Sequence, residues 1–101
     1  MGLLDRAIRE QQAAELRALL HQHEGLAHLR VECRGTDLVI FSEEDGEKIR
    51  RARLTAVGAG RYGLSLMRHT GRWERTPLAG PLPEMVEMLV SALGFHLARW
   101  P

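Results

Sequence analysis

Between Leu29 and Thr76 the hydrophobic pattern of this chain repeats every second residue, while the stretches on either side repeat at helical spacing. A strand points alternate side chains to opposite faces; a helix returns to one face every third or fourth residue. One switch into the strand period and one out of it leave few architectures open.

Within the central stretch, Leu29, Val31 and Cys33 alternate with Arg30, Glu32 and Arg34, and Gly35, Thr36 and Asp37 supply a tight turn. Leu38–Ser42 is a second strand whose centre, Leu38, Val39, Ile40 and Phe41, is apolar on both faces. Such a strand is expected to be covered on both sides or to sit at a contact between copies. After the Glu44-Asp45-Gly46 turn, residues 48–57 place Ala52, Leu54 and Ala56 on one side and Arg51, Arg53 and Thr55 on the other. Gly58, Ala59 and Gly60 break that strand. Alternation resumes from Tyr62 to His69, with Tyr62, Leu64 and Leu66 on one face and Ser65, Met67 and His69 on the other. Thr70 and Gly71 turn the chain into a short strand from Trp73 to Thr76, and Pro77, Gly80, Pro81 and Pro83 are expected to end the sheet.

The spacing predicts a helix over Leu3 to Glu24, carried by Leu4, Ile8, Leu16, Leu19 and Leu20, interrupted by Gln11 and Gln12 and stopped by Gly25. A second helix opens at Pro83 and Glu84, with Met85, Val86, Leu89, Val90, Leu93 and Leu97 as its apolar stripe and Gly94 inside it. The order is helix, four to five strands, helix. Short links make an antiparallel meander the economical topology. With both helices seeking an apolar surface, a two-layer α+β fold in one domain, residues 1–101, is expected.

The formal net charge is +1, so whole-molecule charge does not call for a polyanion. Its layout is uneven: Glu43, Glu44, Asp45 and Glu47 precede a segment, 48–75, with eight bases and only Glu74 as an acid. Thirteen of the fourteen bases are arginine, which fits the codon bias of a GC-rich genome and also suits planar recognition of carboxylate or phosphate. The single cysteine, Cys33, falls on the apolar side of its strand and is expected to be buried as a small hydrophobe. Without a signal-peptide pattern, a myristoylation pattern (position 6 is Arg6) or a membrane-length apolar run, a cytoplasmic location is expected, with no membrane partner.

Three chemical motifs can be tested on spacing alone. Gly58-Ala59-Gly60-Arg61-Tyr62-Gly63 matches the dinucleotide fingerprint literally, but a strand pattern follows it where a helix should receive the pyrophosphate. His21 and His23 are two apart on a helix and diverge, so with His28 and Cys33 they do not make a metal set. Ser65 and His69 share a strand face but lie ~13 Å apart by strand rise, too far for proton transfer. No cofactor, metal or catalytic residue is expected.

The remaining candidate is a basic, aromatic sheet face comprising Arg51, Arg53, Tyr62, Arg68, Arg72 and Trp73, with Arg61 and Arg75 nearby. Arginines that track phosphates beside rings that stack on bases are one way to hold single-stranded nucleic acid. The plainer account makes these charges a solvated outer face paired with the acids of neighbouring strands, and lets Trp73 cap the core beneath the first helix. The expected function is a non-catalytic binding or assembly module, with a second copy of the chain as its partner in a homodimer and an unidentified protein partner also allowed. Single-stranded nucleic-acid binding is the alternative, and a small-molecule enzyme the third.

Overall fold

The computed structural model describes residues 3–93. Its elements are α1 (Leu3–His21), β1 (Arg30–Arg34), β2 (Asp37–Glu44), β3 (Glu47–Gly58), β4 (Arg61–Met67), β5 (Trp73–Gly80) and α2 (Leu82–Leu93). The strands form one antiparallel sheet in the order β1-β2-β3-β4-β5, the meander that short links favour. Gly94 and Leu97, expected to continue the second helix, lie outside the described residues.

Alternation assigns the two faces of the sheet. Leu38 and Ile40 of β2, Ala52 and Leu54 of β3, and Tyr62, Leu64 and Leu66 of β4 form one buried cluster with Leu16 and Leu20 of α1 and Leu82, Met85, Val86 and Leu89 of α2. Both helices therefore lie on the same face: α1 against β1, α2 against β4 and β5, and the two helices against each other. The arrangement is a two-layer α+β fold.

α1 ends sooner than its spacing suggests. After His21 a series of tight turns, with Leu26 N–H donating to His23 O at 3.3 Å and Leu29 N–H to Leu26 O at 3.1 Å, buries Leu26 and Leu29 under the helix layer. Gly25 has φ +86°, a conformation that side chains disfavour, and it shapes this series of turns rather than the helix end, which comes four residues earlier. His21 Nε2 donates to Leu29 O at 2.8 Å and ties the end of α1 to the start of the sheet.

At the other end of the sheet, β5 runs to Gly80, through the proline expected to stop it. Pro77 lies in the irregular stretch where pairing shifts between Gly63 and Ser65, on an edge strand, so its missing N–H removes no ladder hydrogen bond that the register requires. The GxGxxG segment is a strand-to-strand connection: Gly58 pairs with Arg61, Gly60 takes φ +69°, and β4 follows at once.

Cys33 departs from its expected burial. It faces the helix side of edge strand β1 but is exposed, with Sγ 3.4 Å from Arg9 O. The alternation assigned its face correctly; what it lacks is cover, because β1 has no neighbour on its outer side.

Candidate functional site

The face of the sheet turned away from the helices is built from the other half of the alternation. Across its middle the register aligns Glu32, Val39, Arg53, Ser65 and Arg75, one from each strand in order. On one side of this row come Arg34, Asp37, Thr55, Gly63 and Ala79; on the other, Arg30, Phe41 and Arg50.

The apolar residues of this face lie among the chain's own charged side chains. Val39 and Phe41 are buried yet belong to no part of the helix-side cluster. Lys48 Nζ lies 4.7 Å from the centre of the Phe41 ring and 2.8 Å from Glu32 Oε2. Glu32 and Arg53 flank Val39 in the register. Long side chains commonly lay their stems over apolar surface while the charge stays wet. The two-faced apolar centre of β2 is thus accounted for within one copy.

Between β3 and β5 the same face sinks into a groove of about 580 Å³, lined by Asp37, Arg53, Thr55, Ser65, Arg75 and Pro77 together with their neighbours. Its floor is low because Gly63 has no side chain and Ser65 is small and buried. Arg53 and Arg75 stand on either side of Ser65, about 10 Å apart at the backbone by inter-strand spacing. The Arg53 guanidinium stacks on Trp73, with Cζ 4.7 Å from the ring centre. Thr55 Oγ1 donates to Asp37 Oδ1 at 2.6 Å, and Asp37 Oδ2 is 3.9 Å from Arg53 Nε. Arg53 Nε is buried without a hydrogen-bond partner among the described residues. Arg75 is exposed and makes no ion pair among the described residues. Two guanidiniums and one carboxylate around a shallow floor form an anion-binding arrangement.

The six residues expected on one basic face are separated. Arg51 is 3% exposed and sits on the helix side. Ile40 pairs with Ala52 but Phe41 pairs with Arg50, so Arg51 is the extra residue of a β-bulge and the alternation changes phase there. Arg51 Nη2 meets Glu44 Oε2 at 2.5 Å, and Nε and Nη2 each lie 3.2 Å from Ser42 Oγ. Burial lowers its pKa from the usual arginine value, and the Glu44 carboxylate opposes that shift. Tyr62 is buried in the helix-side cluster, where burial raises its pKa. Arg68 and Arg72 are in and beside the β4–β5 turn, Arg68 paired with Glu74 at 3.2 Å. Only Arg53 and Trp73 share the open face, so Trp73 does not cap the core beneath α1.

Arg75, Asp37, Thr55 and Ser65 complete the groove and were not part of the expected set. The alternation of Trp73 and Arg75 was a usable signal for the first. Thr55 shares the face of Arg53 by alternation within β3, while Asp37 and Ser65 are brought in by strand register, which spacing within one strand cannot supply.

Among the described residues, no group of three or more His, Cys, Asp or Glu converges as a metal site, and no helix is long and apolar enough to cross a membrane. No family model, curated protein or solved structure matches the chain.

Proposed function

We propose that this domain is a non-catalytic binding module that holds an acidic protein segment against the open face of its sheet. The observation that carries this reading is the one-sided helix layer. Both helices pack on a single face, and the other face presents Arg30, Arg34, Lys48, Arg50, Arg53 and Arg75 against Glu32, Asp37 and Glu43. Six bases against three acids leave this face with an excess of positive charge, which complements a polypeptide rich in Asp and Glu.

Two features favour protein over single-stranded nucleic acid. Sequence-tolerant binding of single strands uses aromatic rings on which bases stack. Tyr62 belongs to the opposite face, and Trp73 already carries the Arg53 guanidinium. A homodimer is expected from the two-faced apolar β2; Lys48 over Phe41, with Glu32 and Arg53 beside Val39 in the register, gives cover from within the chain and favours an acidic segment over a second copy as the partner.

Fluorescence anisotropy of a labelled Glu-rich peptide and a labelled oligo-dT of equal charge, both at low salt, tests the reading. Saturable peptide binding that weakens as salt rises, with weaker binding of the oligonucleotide, is expected. Failure of the peptide to bind, or oligonucleotide binding of equal or greater strength, overturns it.

A further inference from the structure

We propose that the groove between β3 and β5 is a carboxylate subsite, in which Arg53 and Arg75 hold one carboxylate of a partner polypeptide above Ser65 and Gly63. This rests on the binding reading above and names the chemistry recognised at its centre.

The two guanidiniums rise from opposite walls of one groove, in one register row, with the buried Ser65 between them. Trp73 supports the flat face of Arg53, so the fork is held in orientation before any ligand arrives. Arg53 Nε is buried yet bonded to nothing among the described residues, with the Asp37 oxygen 3.9 Å away, beyond hydrogen-bond reach. With Nε enclosed, an incoming carboxylate meets the terminal nitrogens of the Arg53 fork, whose side chain is 26% exposed. Arg75 has its own donors unengaged in ion pairs among the described residues.

Charge then selects the class of anion. Arg53, Arg75 and Asp37 together carry a net +1, which one carboxylate neutralises. A phosphate dianion would leave excess negative charge beside Asp37, which Thr55 and Arg53 hold in the groove. The floor supplies room: a methyl group added at Gly63 would lie 3.4 Å from Val57 Cγ1, in ordinary contact, and would raise the floor without disturbing the strand.

A carboxylate can come from an Asp or Glu side chain or from the end of a chain. Three peptides of one sequence separate the sources: one with a single Glu and an amidated end, one with Gln in its place and a free C-terminus, and one with Gln and an amidated end. Their binding to the full chain is measured by isothermal titration calorimetry, with acetate and inorganic phosphate as competitors.

At least one carboxylate peptide is expected to bind, the carboxylate-free peptide at least about tenfold more weakly, as loss of a charge-assisted contact implies. Arg75→Gln, an exposed position whose fold is checked by thermal melting, and Gly63→Ala should each weaken binding severalfold. Acetate should displace the peptide at lower concentration than phosphate. Equal binding of the carboxylate-free peptide, unchanged affinity in Arg75→Gln, or stronger displacement by phosphate overturns the subsite. If the Glu-rich peptide of the previous section binds while Arg75→Gln is without effect, the subsite falls and the open-face reading stands; if no acidic peptide binds, both fall.

Discussion

Arg51 shows how much one residue can turn on backbone phase. By spacing alone it belongs with Arg53, two positions on. The bulge inserts it as an unmatched residue and sends its side chain to the helix side, where Glu44 and Ser42 meet it. Nothing in a single strand's composition announces a bulge; it becomes visible only when two strands are aligned. Removing one partner of a buried ion pair leaves the other desolvated and uncompensated. Arg51→Ala is therefore expected to lower stability by about 3 kcal/mol in urea unfolding, and the pair Arg51→Met with Glu44→Leu to recover most of that loss. Tyr62 makes a second prediction at this scale. Burial raises its pKa above 10.0, so the folded state keeps the phenol proton longer than the unfolded state does. Its contribution is complete below pH 10 and is lost as pH rises through the folded pKa, because the unfolded chain has already ionised. Alkaline unfolding should begin at higher pH in Tyr62→Phe than in the natural chain, as followed by circular dichroism.

At the scale of elements, all seven were legible and their ends were not. Glycine turns and alternating runs located the strands, and leucine spacing located the helices. Sequence alone ends β5 at Pro77 because proline is excluded from central ladders; that exclusion relaxes on an edge strand, and which strand is the edge is a property of the sheet rather than of the segment. Spacing extends α1 three residues too far, since Gln22 to Glu24 have reasonable helix propensity while the burial of Leu26 and Leu29 requires the chain to turn earlier. The β5–α2 junction is close-packed: a Cβ at Gly80 would stand 2.9 Å from Glu84 Oε2 and 3.2 Å from Met85 Cε. Both are ends of flexible side chains, so Gly80→Ala should change stability by less than about 1 kcal/mol. Gly80→Val reaches further into the buried Met85 and should destabilise by about 1–3 kcal/mol in thermal or urea unfolding.

For the whole molecule, the layer architecture followed from the sequence because each helix has one apolar stripe and most strands have one apolar face. The destination of the arginines did not follow. A face assignment depends on phase within each strand, and the groove depends on register among β3, β4 and β5, two quantities that accumulate over the sheet. The apolar centre of β2 was the most ambiguous signal, since a second layer, a second copy or the chain's own long side chains can all cover Val39 and Phe41. Lys48, with its ammonium over Phe41 and bonded to Glu32, lies there within one chain. The open face as a binding surface is tested most directly by mapping backbone amide shifts of the isotope-labelled chain during titration with a Glu-rich peptide. Saturable shifts concentrated at Arg53, Thr55, Gly63, Ser65 and Arg75 are expected; shifts clustered on α1 and α2, or none that saturate, would contradict it.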